Sequence, residues 1–430
     1  MIGRLKKAGW TVIDDPQQAD TIVVNTCSFI ESAAEESIDT ILELAGYKQE
    51  GSCSRMIVAG CLPERYREDI ISSLPEVDVF LGTGAFDQIV KAVQDPQFIH
   101  QCVLPDPDLV SLQGHDSPRD IRQSHTAYLK IAEGCSKTCT YCIIPKLRGK
   151  QKSRPPADIV SEARRLINQG VKELVLVAQD TTAFGKDLSK PTNLGQLVER
   201  LANLEYEKPQ NPAEPWLRVL YGHPESIEDS FIEAVASAKN LCPYFDIPIQ
   251  HVSSKILKHM GRQYTRDDLC RLFDCIRTVV PDAVLRTTLI VGFPGETDKD
   301  FEALLQFVED VQFDHLGVFI YSDADDLASH RLSDHVPIST AKNRYHQLMS
   351  TQSGISSENN RKYIGKTVKV LVEESLEHHL FMGRTNFQAP EVDGITYINT
   401  AKSLFDLKIG CFTDMRVTDA MEYDLMGEAI

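Results

Sequence analysis

Along the first 95 residues, apolar runs of strand length alternate with a helical periodicity. "WTVID" (10–14), "TIVVNT" (21–26) and "RMIVAG" (55–60) read as strands, and "SAAEESIDTILELAG" between the last two spaces its apolar residues as an amphipathic helix does. The opening "GRLKKAG" reads as the end of a helix with Gly9 as its stop. Strand and helix in alternation predict an open parallel α/β sheet over residues 1–95. The pattern starts inside a helix, so the first strand of such a sheet is expected to be lacking, through an internal start, a truncation or a real loss.

Residues 96–125, with "LPDPD" and "GHDSPRD", are rich in Pro, Asp and Gly and carry little periodicity, which predicts a linker, bounded at 96–122. From 126 to about 335 come six strand-like runs: "AYLKIAE", "ELVLVAQ", "LRVLYG", "YFDIPIQ", "LRTTLIVG" and "LGVFIYS". Amphipathic segments such as "ADIVSEARRLINQG" and "DDLCRLFDCIRTVV" separate most of them, so a partial (β/α)6 barrel is the simplest reading, as a domain over 123–355. A helical stretch then leads to residues 360–430, where "KTVKVLVEE", "LFMGRTN" and "EVDGITYINT" have the short strands and turns of a small β-barrel.

Composition narrows the setting. The chain of 430 residues is 42% apolar and 25% charged, ordinary for a soluble globular protein, and no apolar run approaches the ~18–20 residues that span a bilayer. No signal-peptide pattern opens the chain, so no membrane partner and a cytoplasmic location are expected. There the eleven cysteines stay reduced, which favours metal or redox chemistry over a disulfide framework. A net charge of −17 argues against a broad nucleic-acid footprint and fits a basic partner.

The chemistry concentrates in "KIAEGCSKTCTYCIIP" (130–145), where Cys135, Cys139 and Cys142 form a C-x3-C-x2-C loop directly after the first barrel strand. That places them at the carboxyl face, where barrel enzymes keep their reacting groups. Three thiolates leave one metal of a cubane with an open position. A zinc site with its fourth ligand elsewhere, or packing cysteines, is the alternative. The loop, with Tyr141 before its last cysteine, resembles the signature of radical S-adenosylmethionine enzymes. The resemblance implies a [4Fe-4S] cluster whose open iron chelates S-adenosylmethionine and reduces it to a 5′-deoxyadenosyl radical.

"VAQDTTAFGKD", "GHPE", "DIPIQHVSSKILKHMGRQY", "LRTTLIVGFPGET" and "FIYSDADDLASH" resemble the methylthiotransferase branch of that family in order and spacing. This implies that Tyr141, Gln179, Asp180, Gly292 and Gly295 lie near S-adenosylmethionine; strand caps and a tight turn are the alternative for each. His223 and His251 end strands too, as rim hydrogen-bonders or participants. Cys27 and Cys61 each follow a predicted strand of one parallel sheet and therefore share its carboxyl edge, where such sheets bind ligands. Methylthiotransferases carry a second [4Fe-4S] cluster on three N-terminal cysteines, and Cys27 and Cys61 match two of them. The third belongs to a "GCPKN"-like motif absent from this sequence. Cys53 and Cys102 are the substitutes at hand; Cys242, Cys270, Cys275 and Cys411 read as packing residues.

Methylthiotransferases modify an adenosine of transfer RNA or an aspartate of small-subunit ribosomal protein twelve. Here "GRTNFQAPEVDG" resembles the C-terminal TRAM-like module of the ribosomal-protein branch, and "NTCSFIESAAEESIDTILEL" looks like that branch too. Residues 361–430 hold eight Lys and Arg against eleven Asp and Glu, a net of −3 that suits a basic protein better than RNA. The implied reaction uses two molecules of S-adenosylmethionine, one as methyl donor to a sulfur and one as radical source for the aspartate β-carbon. It also needs an electron donor and a sulfur source, and the chain is expected to act as a monomer, with the carboxyl edges of sheet and barrel meeting. Methylthiolation of transfer RNA, or a one-cluster ribosome-binding product, is the alternative.

Overall fold

The computed structural model describes residues 1–99, 101–110, 112, 119, 125–207, 214–401 and 407–430. The chain divides into two compact units: Met1–Arg122 with Glu133–Lys152 and Ser322–Arg331, and Gln123–Ala132 with Ser153–Tyr321 and Leu332–Ile430.

The first unit is built on four parallel strands in the order β1 (Thr21–Thr26), β2 (Arg55–Gly60), β3 (Val79–Leu81), β4 (Gln101–Val103). β2 is buried on both faces: Met56 and Val58 join one apolar cluster with Ile41 of the helix Glu31–Ala45, while Ile57 and Ala59 join another with Ile89 and Ala92 of the helix Ile89–Gln94. A strand covered by helices on both sides reads as a continuous apolar run, which is how "RMIVAG" announces itself. The helix Ile2–Lys7 ends as expected at Gly9, whose φ of +92° accompanies the bonds from Gly9 N to Lys6 O and Trp10 N to Leu5 O.

Two expectations fail here. "WTVID" is not a strand, because Trp10–Asp14 finds no ladder partner among the described residues and Trp10 packs instead against the apolar cluster around Leu5 and Ile89. The stretch read as linker contains β4, which pairs in parallel with β3 and carries Cys102. Three-residue strands show no periodicity, and Pro and Asp around β4 mask it. Most of 111–124 lies outside the described residues.

In the second unit, β5 (Thr126–Lys130) follows the linker; the two-residue β6 (Ala132–Glu133) and β7 (Lys152–Ser153) flank the cysteine loop. β5, β8 (Glu173–Val177) and β9 (Trp216–Val219) make one parallel sheet; β10 (Tyr244–Asp246), β11 (Val284–Val291) and β12 (His315–Ile320) make another. A parallel bridge between Leu217 and Leu241 and the bond from Gly222 N to Asp246 O (2.8 Å) join them, giving the six-stranded partial barrel. The helices Arg266–Val279 and Asp298–Val311 each start in a capping box, Thr265 with Asp268 and Thr297 with Asp300. After the helix Ile338–Arg361, strands β13 (Thr367–Glu377), β14 (Leu380–Thr385), β15 (Thr396–Asn399), β16 (Phe412–Ala420) and β17 (Leu425–Ala429) close a barrel in the order β13-β14-β15-β17-β16.

The two barrels of this unit share one apolar core, with Trp216, Tyr244 and Val284 packed among Val370, Phe387 and Met415. Buried ions lock them. Glu173 binds Arg218 at 2.7 Å and Arg384 of the C-terminal module at 2.6 Å, and Arg384 also binds Glu373 at 2.7 Å. Arg218 donates to the Asn386 and Thr385 carbonyls and stacks 4.8 Å over the Tyr244 ring. Despite complete burial the Glu173 carboxyl is held below its ordinary value: burial pushes it up, and Arg218 and Arg384 together more than reverse that. No helix among the described residues is long and apolar enough to cross a membrane.

Candidate functional site

β1 and β2 run in parallel with Thr26 opposite Gly60, so the next residues, Cys27 and Cys61, leave neighbouring strands at the same carboxyl edge. Gly60 is required there, since at φ +114° a Cβ would stand 2.5 Å from the Thr26 carbonyl oxygen. Cys27 is exposed and Cys61 buried. Burial pushes the Cys61 thiol up; the Arg148 guanidinium, donating to its sulfur at 3.5 Å, partly offsets this, and the neighbouring Cys27 and Glu133 add to the upward push. Arg148 is itself held by Glu133 at 2.8 Å.

Glu133 and Arg148 bracket the three-cysteine loop, which belongs to the same compact unit as Cys27 and Cys61. Cys135 N donates to Gly149 O (3.0 Å), pinning the loop at its base, and a Cβ on Gly134 would meet the Lys150 carbonyl oxygen at 2.3 Å. Cys142 N donates to Cys139 O at 3.1 Å, a turn that carries the half-buried Tyr141 between the last two cysteines. Directly after it, Ile143 and Leu147 pack with Cys61 and Leu327. Arg65, four residues beyond Cys61, binds Asp326 at 2.6 Å, and Lys146 reaches the same carboxylate at 3.4 Å. Burial and these two cations leave the Asp326 carboxyl below its ordinary value, the cations outweighing the burial.

Among the described residues no three His, Cys, Asp or Glu side chains stand close enough together to hold a metal ion. The donor set of the loop is nonetheless all sulfur: Cys135, Cys139 and Cys142 are each half-buried, in a loop with fixed ends, and soft thiolates suit iron–sulfur chemistry. Cys53 is buried before β2, at the opposite strand end from Cys61, with its thiol donating to Arg55 O at 3.3 Å. The thiol of Cys102, within β4, is pushed up to about 11 by burial. Neither shares the edge of Cys27 and Cys61. Cys242 is a packing residue, buried, its thiol pushed up to about 12, whereas Cys411 is exposed and does not pack as expected.

The remaining expected residues lie in the second unit. Gln179 and Asp180 follow β8, and Gly292 and Gly295 follow β11, all at carboxyl ends of barrel strands. Asp180 is buried and closes a local turn, accepting from Thr182 Oγ1 (2.7 Å) and Ala183 N (3.1 Å). Gly292, at φ +74°, would place a Cβ 2.5 Å from Ala341 Cβ, so helix packing requires glycine there; at Gly295, φ +81°, a Cβ would meet only the His259 ring, at an ordinary 3.5 Å, and the Lys255 amine. His223 accepts from Glu225 N, capping a short 3-10 turn. His251 is fully buried: Nδ1 accepts from Val252 N and Ser253 N, so Nε2 carries the proton, and it faces Glu296 Oε1 at 3.6 Å.

Sequence reasoning missed Glu133, Arg148 and Glu296. The Glu296 carboxylate receives Gly292 N and Phe293 N and binds Arg344 at 3.3 Å. Its adjacency to the glycines in "GFPGET" was the available signal; for Arg148 the signal was its place four residues beyond Ile144 in "IIPKLRGK".

Residues 129–308 match the radical SAM superfamily, 364–430 the TRAM domain, and 1–82 an uncharacterised protein family, UPF0004. In solved structures, the fold resembles a radical S-adenosylmethionine methyltransferase, TsrM, from Kitasatospora setae, with TM-score 0.51 and 15% identity over 70% of this chain and 64% of that one. Proteins named ribosomal protein uS12 methylthiotransferase RimO are 52% identical in Desulfosudis oleivorans, over the whole chain and 96% of that protein, and 47% identical in Clostridioides difficile, over the whole chain and 95% of that protein. A third, from Geobacter sulfurreducens, is 42% identical over the whole chain and 94% of its own length. The chain therefore belongs to the radical S-adenosylmethionine methylthiotransferases of the ribosomal protein uS12 family, enzymes built on S-adenosylmethionine and a [4Fe-4S] cluster.

Proposed function

We propose that this methylthiotransferase acts on ribosomal protein uS12 in the cytoplasm and places a methylthio group on the β-carbon of an aspartate. Cys135, Cys139 and Cys142 hold one [4Fe-4S] cluster, with Tyr141, Gln179, Asp180, Gly292 and Gly295 near S-adenosylmethionine. Cys27 and Cys61 are two ligands of a second cluster. When bound, the clusters and S-adenosylmethionine supply an electron, a methyl group and a hydrogen-abstracting radical. The chain's own residues do the rest. Glu133 holds Arg148 against Cys61, Ile143 and Leu147 exclude water from that sulfur, and the bond from Cys135 N to Gly149 O keeps the loop in place. An electron donor and a sulfur source come from outside the chain.

The observation that carries this reading is the single compact unit containing both thiol sets, with Cys61 packed against the residues that follow Cys142. Anaerobic reconstitution with iron and sulfide tests it. About eight irons per chain, falling to about four in Cys27→Ala/Cys61→Ala, and a methylthio-aspartate found in uS12 by mass spectrometry, support it. About four irons in both proteins, or methylthiolation of transfer RNA with uS12 untouched, overturn it.

A further inference from the structure

The loop after β3, "GTG" (82–84), leaves the sheet at the same carboxyl edge as Cys27 and Cys61, since Leu81 stands opposite Ala59 and Ala59 opposite Asn25. Its threonine bonds to both thiol-bearing segments. Thr83 N donates at 3.1 Å to Glu64, on the helix Cys61–Tyr66, and Thr83 Oγ1 donates at 2.6 Å to the carbonyl of Leu147, on the helix Ile144–Arg148 that follows Cys142. The Glu64 side chain is fully buried and also binds Arg67 at 3.3 Å. A Cβ on Gly82 would stand 2.2 Å from the Glu64 carboxylate, so glycine there is what admits it.

Both helices are very short, six residues in Cys61–Tyr66 and five in Ile144–Arg148. Segments of that length have no stability of their own, so their direction has to be imposed from outside. Arg148 and the apolar contacts of Ile143 and Leu147 act at Cys61 itself. The Thr83 bridge acts further along both helices, and its hydroxyl, 2.6 Å from the carbonyl of the fully buried Leu147, fixes a direction where apolar packing does not. The base of the cysteine loop has a clamp of its own: Lys150 N donates to Asp108 Oδ1 at 2.7 Å. Loss of the Thr83 hydroxyl therefore releases the helix Ile144–Arg148 while the base of the loop stays fixed.

We propose that Thr83 is a positioning residue that sets the spacing between the two thiol sets, Cys27 with Cys61 and Cys135 with Cys139 and Cys142, and that Glu64 is the buried post that holds it. The inference rests on the two-cluster reading above. In that reading the sulfur and the radical are delivered from different thiol sets, so their spacing decides how often radical formation is followed by transfer. A released helix leaves radical formation in place and uncouples it from the product.

The test uses the full chain, reconstituted anaerobically, with purified uS12 and two variants: Thr83→Val, which keeps the shape and loses the hydroxyl, and Thr83→Ser, which keeps the hydroxyl. The 5′-deoxyadenosine released per methylthio group transferred is measured beside the spin–spin broadening between reduced clusters in electron paramagnetic resonance, with iron content and melting temperature alongside. Thr83→Val should hold about eight irons, show altered broadening and release about tenfold more 5′-deoxyadenosine per methylthio group, while Thr83→Ser matches wild type in each. A wild-type ratio in Thr83→Val overturns the proposal, as does a raised ratio with unaltered broadening. Equal defects in the Val and Ser variants overturn it too, and so does a Thr83→Val protein that loses iron and melts early, which would make Thr83 a structural brace alone. Wild-type protein that holds only about four irons overturns the two-cluster reading instead, and this inference with it.

Discussion

Replacing Arg218 by methionine probes the buried ionic lock between the two barrels. The guanidinium is 0% exposed and its partner Glu173 likewise, so the substitution leaves a carboxylate in the interior with Arg384 as its one remaining cation. It also orphans the Asn386 and Thr385 carbonyls that Arg218 serves. Removing one member of a buried ion pair costs about 3–5 kcal/mol, and the methionine recovers part of the packing on Tyr244. For a unit of this size that lowers Tm by roughly 10 °C, read by urea or thermal unfolding of the apo-protein at pH 7.5. The effect depends on pH with a definite sign. The Glu173 carboxyl is depressed below its ordinary 4.5 in the folded protein, so its stabilisation is fully present above that value and fades as pH falls through the folded value. Without Arg218 the depression shrinks, and the gap between wild type and variant should narrow below about pH 4.5. In the double variant Glu173→Gln/Arg218→Met the losses should fall short of the sum of the single ones, because the second change removes the orphaned charge. A cost under about 1 kcal/mol for Arg218→Met, or strict additivity, would refute the view of this pair as a desolvated, mutually dependent unit.

Three further outcomes follow from the geometry. Gly292→Ala should cost about 2–4 kcal/mol, from positive φ and from overlap with Ala341 Cβ, and Ala341→Gly in the same chain should restore the steric part by chemical denaturation. Thr265→Ala removes the capping box of the helix Arg266–Val279 and should cost about 1 kcal/mol, with amide exchange accelerated in its first turn. In apo-protein treated with iodoacetamide at pH 8, peptide mapping should find Cys27, exposed, alkylated well before Cys61, which is buried and has its thiol pushed up by that burial; comparable rates would refute the burial of Cys61.

Much of the fold was legible because its strands advertise themselves. Each of the six barrel runs from "AYLKIAE" to "LGVFIYS" contains a strand of the barrel, and the closed C-terminal barrel follows its turn residues. Strand pairing was not legible at the edges. "WTVID" has a strand's composition without a neighbour to bond, while "VFL" is a strand because β2 offers it a template and "QCV" because β3 does. The cysteine spacings were local signals and could be read. Arg148 and Glu133, 15 residues apart, meet at Cys61 only once the loop is folded back on its base. Asp393 was visible as part of a motif but not as the acceptor of the Tyr244 hydroxyl, at 2.5 Å, since nothing local says that a module's turn will meet a neighbouring barrel.

The division of the chain also bears on how such an enzyme can be cut or inherited. The first compact unit is collected from three separate stretches, Met1–Arg122, Glu133–Lys152 and Ser322–Arg331, the last two threaded through the barrel's own sequence. A fragment ending at residue 122 would leave behind Ile143, Leu147 and Leu327, the side chains that cover Cys61, and a fragment starting at 123 would carry those side chains without the sulfur they enclose. The sheet and the radical loop are therefore not separable cassettes. Shuffling by simple fusion or deletion breaks both, so the two thiol sets are expected to have travelled together as one heritable piece.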